Sequence, residues 1–260
     1  MVEGKVVLVT GAGGGIGRDI ALAMASHGAR VVVNDIGAAV DGEGRNAGPA
    51  QKVVDEIHAL GGEAVPSTDS VADAASASRI VQCAVDTFGR IDAVVNNAGI
   101  LRDRFFHKMS VDEWDSVIKV HLYGTYFVSR AVALQMIKRK SGGRIINIAS
   151  VAGLRGTDPR MMPTLPYNTS KGAVVNFTRA LAATLAEHNI TVNCICPGFF
   201  PTRMTAATLD RFGEEIAAAT PLRRVGNDQD LKGVAVLFAS DASAFITGQV
   251  IAVDGGATAI

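Results

Sequence analysis

Lys5-Val6-Val7-Leu8-Val9-Thr10-Gly11-Ala12-Gly13-Gly14-Gly15-Ile16-Gly17 decides the fold of this chain. The apolar, valine-rich run from Lys5 to Thr10 reads as a strand buried on both faces. A helical period starts at Gly15 and runs to His27. Between the two lie Gly11, Gly15 and Gly17. Glycines there permit a tight turn and a close backbone approach, and the helix N-terminus that follows attracts an anion. Strand, glycine turn and helix in that order form the pyrophosphate grip of a dinucleotide site.

The same alternation continues outward. Apolar runs rich in valine and isoleucine occur at Lys5–Thr10, Arg30–Asp35, Glu63–Asp69, Ile91–Asn96, Arg144–Ser150, Thr191–Cys196 and Gln249–Val253. Amphipathic stretches lie between them, clearest at Gly15–His27, Ala50–Leu60, Ala72–Phe88, Val111–Ile137 and Ser170–His188. Buried strands joined by helices predict an α/β fold: a Rossmann-like, doubly wound, parallel seven-stranded sheet with helices on both faces. A chain of 260 residues suits one such domain, spanning 1–260. There is no internal repeat or low-complexity tail. Two loops stand out. Gly37 to Gly48, rich in Gly and Ala, is expected to be a flexible surface insertion. Arg155 to Pro166 lies between two candidate functional residues, Ser150 and Tyr167, and must border the reacting centre.

Formal net charge is zero, so nothing electrostatic favours nucleic acid or a membrane surface as a partner. A strand begins almost at once, without a charged-then-apolar leader, and no apolar run approaches the length of a membrane span. A soluble, unexported, cytoplasmic protein is expected. Three cysteines, Cys83, Cys194 and Cys196, make an odd count. Cys194 and Cys196 point to the same side of a predicted strand, which suits free buried thiols better than a disulfide. The histidines show no paired metal-ligand spacing, and no metal is expected.

Chemistry gathers at Tyr167-Asn168-Thr169-Ser170-Lys171. Residues four apart share a helix face, so the Lys171 ammonium favours the Tyr167 phenolate and draws its pKa down from about 10. A tyrosine so tuned can donate a proton to a carbonyl. Ser150 ends the preceding strand. Asp35 ends the second strand, where a carboxylate accepts hydrogen bonds from an adenosine ribose and repels a 2′-phosphate. No arginine follows it and Gly14 adds no basic residue to the turn, so NAD(H) is the expected cofactor.

With these residues in hand, the chain resembles the short-chain dehydrogenase/reductases along essentially its whole length. The matches are Thr10-Gly11-x-x-x-Gly15-Ile16-Gly17, Asn96-Asn97-Ala98-Gly99, Ser150, Tyr167-x-x-x-Lys171, Pro197-Gly198 with Thr202, and Asp254-Gly255-Gly256. The resemblance implies that Tyr167 is the general acid–base and that Ser150 steadies the substrate oxygen. It implies that Lys171 binds the nicotinamide ribose. Asn97, Ala98 and Gly99 would close over the cofactor, Asp69 would face the adenine, and Thr202 would hold the carboxamide near Pro197 and Gly198. One departure concerns the long middle helix. Where the family usually places an asparagine that holds a relay water, this chain has His121. The ring would pass the proton by another route or simply pack in the helix. The second departure is a longer gap between serine and tyrosine.

Val33-Asn34-Asp35, the insertion behind it, His121 and the stretch Asn97–Arg104 resemble 3-oxoacyl thioester reductases and 3-hydroxyacyl-CoA dehydrogenases. Pro197–Met204 is more like bacterial oxoacyl reductases and gluconate-type dehydrogenases. Phe199, Phe200, Met204, Met161, Met162 and Leu165 are expected around the nicotinamide end. An apolar wall of that kind suits an acyl chain or hydrophobic ring. Arg102, Arg104, Arg155 and Arg160 are candidates for a CoA or carrier phosphate. The expected activity interconverts a secondary alcohol and a ketone, on 3-hydroxyacyl and 3-oxoacyl thioesters. The alternative is a dehydrogenase of free hydrophobic alcohols, such as a steroid, aryl or cyclic alcohol. A rival class, a regulatory nucleotide-binding protein that lost its chemistry, fits poorly with Ser150, Tyr167 and Lys171 all present. Apolar residues on several faces of Val111–Ile137 and Gly172–Leu185 call for a partner subunit. The resemblance implies a homotetramer.

Overall fold

A computed structural model describes residues 1–102 and 104–260; Asp103, within the Asn97–Arg104 stretch, lies outside the described residues. The seven apolar runs become β1 (Val6–Thr10), β2 (Arg30–Asn34), β3 (Glu63–Ser67), β4 (Ala93–Asn96), β5 (Gly143–Ile148), β6 (Ile190–Pro197) and β7 (Val250–Val253). They form one parallel sheet in the order β3-β2-β1-β4-β5-β6-β7. The fold class read from the sequence is the one observed.

Strand alternation sorts the core onto two faces. Val7, Val9, Val31, Val33 and Ile146 face one side, against α1 (Gly15–Ser26), α2 (Gly48–Ala59) and α8 (Lys232–Ala239). Val6, Leu8, Val32, Val94 and Ile145 face the other, against α3 (Ala74–Phe88), α5 (Gly124–Arg139) and α6 (Leu165–Leu185). Each fully buried side chain of this size contributes about 1.5–3 kcal/mol of transfer free energy. A single-residue slip in register would turn each strand's set to the wrong face.

Three differences from the sequence reading have identifiable reasons. The helix expected over Val111–Ile137 is interrupted: α4 (Val111–Ile118) passes into a π turn (Lys119–Tyr123) before α5. Helix α6 starts at Leu165, not Ser170, because Pro166 fits the first turn where no N–H is needed. Helices α7 (Ala206–Ala219) and α8 were not anticipated. Val234-Ala235-Val236-Leu237-Phe238 in α8 is apolar on nearly every side, so it carries little helical period.

The chain leaves β1 toward β2 and β3, then returns to lay β4 on the other side of β1. That reversal opens a crevice at the C-terminal ends of β1 and β4, where doubly wound sheets bind ligands.

Candidate active site

A cavity of ≈ 500 Å³ occupies this crevice. Gly11, Gly15, Ile16, Gly17, Asp35, Asp69, Asn97, Ala98, Gly99, His121, Ser150, Tyr167, Lys171, Pro197, Gly198 and Thr202 all line it. The residues named from the sequence as catalytic or cofactor-binding therefore share one space.

Backbone proximity builds the nucleotide end. Gly11 has φ +63°, a left-handed conformation natural only to glycine. A Cβ on Gly17 would collide with the Gly11 carbonyl oxygen and lie 2.5 Å from Asn97 Nδ2. Asn97 closes the seam between β1 and β4: its Nδ2 donates to Thr10 O and Gly11 O at 3.0 Å each. The Thr10 hydroxyl accepts from Asn97 N at 3.0 Å and Ala98 N at 3.1 Å. No side chain caps α1, and its first turn holds no acidic residue. Its positive end lines the cavity and would attract an anion.

Asp35 follows β2. One of its carboxylate oxygens accepts from Gly13 N at 2.8 Å and the other from Gly37 N at 2.7 Å. These bonds fix the carboxylate on the cavity wall and leave lone pairs for further donors. Asp69 lies beyond β3, its side chain clasped by Arg79 Nε at 2.8 Å and Nη2 at 2.6 Å.

The stretch Gly37–Gly48 is not the free insertion expected of it. Ala39 N donates to Glu43 O at 2.8 Å, and Asn46 N to Ile36 O at 2.9 Å. Across the cavity mouth, Leu101 N donates to Val40 O at 2.9 Å and Arg102 pairs with Glu43 at 3.3 Å. The loop is a cavity wall tied to the turn after β4, and it brings Arg45 into the lining.

At the other end, Ser150 caps a 3-10 turn (Val151–Gly153), its Oγ accepting from Ala152 N at 3.1 Å. That turn presses on α6: a Cβ on Gly153 would stand 2.6 Å from the Lys171 carbonyl carbon. Lys171 is buried, donates to Ile148 O at 2.9 Å, and places Nζ 5.5 Å from the Tyr167 ring centroid. Burial pulls the Lys171 pKa down to about 8, against a weaker upward pull from the Cys194 and Cys196 sulfurs. Those two thiols are free and buried, 4.0 Å apart on one side of β6.

A family model described as enoyl-(acyl carrier protein) reductase matches residues 11–258. A 3-oxoacyl-[acyl-carrier-protein] reductase of Synechocystis is 41% identical over 97% of this chain and 96% of its own length. A short-chain type dehydrogenase/reductase from Mycobacterium marinum superposes with TM-score 0.92 at 33% identity, covering 100% of this chain and 97% of that one. The chain belongs to the short-chain dehydrogenase/reductase family. It is thus an oxidoreductase of CH–OH groups that works with a nicotinamide cofactor. A gluconate 5-dehydrogenase from Burkholderia cenocepacia, in complex with NADP and tartrate, is a further short-chain dehydrogenase/reductase neighbour. It superposes with TM-score 0.90 at 34% identity, over 99% of this chain and 96% of that one.

A nicotinamide dinucleotide fits the residues present. Gly11, Gly15 and Gly17 line the cavity beside the N-terminus of α1, and a fixed carboxylate stands at the end of β2. Sequence reasoning missed Arg45 and Arg203, which also line this short-chain dehydrogenase/reductase groove. A carbon at Gly14 would lie 3.9 Å from Arg203 Nη2, so this cation stands over the glycine turn. Nothing in the local sequence announces either residue, because loop trajectories bring them there.

The substrate end gathers fewer of its expected residues. Phe200 and Met204 line the cavity; Phe199 lines a separate cavity behind β7. Met161, Met162 and Leu165 do not line the groove. Of the four arginines, Arg104 pairs with Glu113, Arg160 with Asp158, and Arg155 donates to Ala257 O. Arg102 lines the groove, and its Nε is buried without a hydrogen-bond partner among the described residues.

Proposed function

We propose that this enzyme interconverts 3-hydroxyacyl and 3-oxoacyl thioesters with NAD(H). One observation carries the reading: the glycine turn and the Ser150–Tyr167–Lys171 group line the same cavity. When bound, the nicotinamide supplies the hydride acceptor for oxidation and the donor for reduction. Tyr167 takes the hydroxyl proton from the alcohol, or returns one to the ketone oxygen, as general base or acid. Ser150 donates a hydrogen bond to that oxygen as negative charge grows on it. The Lys171 ammonium stabilises the Tyr167 phenolate through space and holds the cofactor ribose. Asn97, Ala98 and Gly99 would wall the cofactor, Asp69 would face the adenine, and Thr202 with Pro197 and Gly198 would hold the carboxamide.

The thioester is supported by the 41% identical oxoacyl reductase, by apolar Ile100, Phe200 and Met204 in the groove, and by the Arg102 cation at its mouth. NAD(H) is supported by the Asp35 carboxylate, which would repel a 2′-phosphate. Arg45 in the same groove is the feature that favours NADP(H). A homotetramer is supported by exposed Tyr123 at the end of the π turn and exposed Tyr126 and Leu134 of α5, with Tyr126 against Phe177 of α6. No helix among the described residues is long and apolar enough to cross a membrane, and the three thiols are free, which suits the cytoplasm. The apolar groove also admits a second reading, a dehydrogenase of free hydrophobic secondary alcohols.

Initial rates with acetoacetyl-CoA, 3-hydroxybutyryl-CoA, a medium-chain 3-oxoacyl thioester, a steroid alcohol, cyclohexanol and gluconate, each with NAD(H) and NADP(H), test the reading. Preference for thioesters with NAD(H) is the expected result. Turnover confined to free alcohols would transfer the enzyme to the second reading.

A further inference from the structure

His121 sits in the π turn between α4 and α5, fully buried against Tyr167, with ring centroids 5.3 Å apart at 79°. Three polar contacts run through it. Ile100 N lies 2.9 Å from Nε2, Nδ1 lies 3.3 Å from Ser170 Oγ, and Ser170 Oγ lies 2.8 Å from Tyr167 O. Ile100 N can only donate and Tyr167 O can only accept. One tautomer keeps the chain of bonds from Ile100 N to Tyr167 O unbroken: Ile100 N–H donates to Nε2, Nδ1–H donates to Ser170 Oγ, and the Ser170 hydroxyl donates to Tyr167 O, at the cost of an Ile100 O that receives no proton from the ring. The other tautomer would aim Nε2–H at Ile100 O, also 2.9 Å away. It would then leave the Ile100 N–H facing a donor and draw the Ser170 proton away from Tyr167 O.

We propose that His121 is a neutral positioning residue that clamps the turn at Ile100 to the first turn of α6, and so fixes the aim of Tyr167, rather than a carrier of the reacting proton. Both ring nitrogens are committed to the chain of bonds, so a relay through the ring would have to break it. The His121 carbonyl is likewise engaged, by Thr125 Oγ1 at 2.7 Å. Gly99 supplies the space, since a Cβ there would stand 3.1 Å from Nε2. The groups facing the ring are Lys171 and Tyr167 of α6, with Cys194 and Cys196 of β6 beyond Lys171. Burial and the Lys171 charge hold the imidazole pKa well below the ordinary histidine range, against a smaller upward pull from Ile100 O. The π turn suits this use: the local widening turns a polar side chain inward at a functional site.

The proposal rests on Tyr167 being the acid–base group, and its first test needs no substrate. In protein labelled with 15N-histidine, His121 is one of five histidines and is assigned by its loss in His121→Asn. A neutral Nδ1–H pattern that does not titrate from pH 5.5 to 9 is expected. Titration in that window, or an Nε2–H pattern, would overturn the proposal. In protein labelled with 13Cζ-tyrosine, Ser170→Ala and His121→Gln should both displace the Tyr167 resonance; an unmoved resonance would also overturn it.

Kinetics then test the positioning. Gln places its amide near the Nε2 position, so His121→Gln keeps the Ile100 contact and gives up Ser170. With one hydrogen bond removed, kcat should fall about tenfold, with dinucleotide KM within about twofold and the pH–rate pKa values in place. Ser170→Ala should match it, and the double variant should be no worse than either single one. Loss of a limb from the pH–rate profile in His121→Gln would show a relay and refute the clamp. Absence of turnover by the unaltered enzyme on every substrate would count against the proposed function and leave the two labelling results to decide the clamp.

Discussion

The two ends of the cavity are built differently. At the nucleotide end, backbone crowds backbone: the Gly11 carbonyl and the Gly17 position, with Asn97 Nδ2 bonded beside them, stand so close that a side chain at Gly17 is excluded. At the substrate end, side chains carried by loops decide the shape, as Met204 lines the groove, Phe199 lines another cavity and Phe200 borders both. The first kind of site writes itself as a fixed spacing of glycines after a strand. The second writes nothing so regular. The nucleotide end should therefore tolerate little change in its glycines, and the substrate end should respond to the chemistry of single side chains.

The largest effect is expected where chemistry depends on one oxygen. Tyr167→Phe removes the proton donor and leaves the ring. Because general acid–base catalysis contributes about 10²–10⁴-fold, kcat should fall about a thousandfold. Dinucleotide affinity, followed by NADH fluorescence, should stay within about threefold if the two ends are separable as described. A parallel collapse of affinity would break the comparison, because the tyrosine would then be part of the nucleotide grip.

Lys171 sharpens it through pH. Its pKa is about 8 in the folded protein against 10.5 ordinarily. Between these values the unfolded chain binds more protons, so the contribution of this group to stability rises with pH. It is fully present above 10.5 and lost as pH falls through about 8. The 2.5-unit gap corresponds to at most about 3 kcal/mol. Relative to Lys171→Met, the unaltered protein should gain stability in denaturant titrations between pH 7 and pH 10. An unchanging difference would mean that the buried ammonium keeps its ordinary pKa.

Gly17→Ala tests the crowded end. The added carbon would meet the Gly11 carbonyl and Asn97 Nδ2, neither of which can withdraw without parting β1 from β4. Overpacking of this kind costs about 1–3 kcal/mol. A lowered Tm together with weakened NADH binding is expected, and normal affinity at normal Tm would show that the turn has slack.

How much of this was legible follows the same divide. The seven strands were legible, and the sixteen residues named from the sequence line one cavity, because strand runs, glycine spacing and the Tyr167–Lys171 interval are local patterns. The π turn at Lys119–Tyr123 was not legible, since its sequence keeps helical character while its hydrogen bonding widens. Nor was the docking of Gly37–Gly48, which depends on partners at Leu101 and Arg102 that are distant in sequence. Arg45 escaped for the same reason: it lies ten residues beyond Asp35 and only the path of the loop brings it back.

The smallest effect is expected at the join between loop and cavity mouth. Arg102 and Glu43 meet at 3.3 Å, with the glutamate side chain 71% exposed. An ion pair so wet contributes well under about 1 kcal/mol and weakens in salt. Glu43→Gln should therefore leave Tm unchanged within about 1 °C. Its consequence should appear instead at Arg102, whose charge it releases toward the groove. If a thioester phosphate uses that cation, Glu43→Gln should lower the KM for acetoacetyl-CoA by about twofold at low salt, with the KM for a free alcohol unmoved. Equal response of both substrates would place Arg102 outside the substrate path and return it to holding the loop.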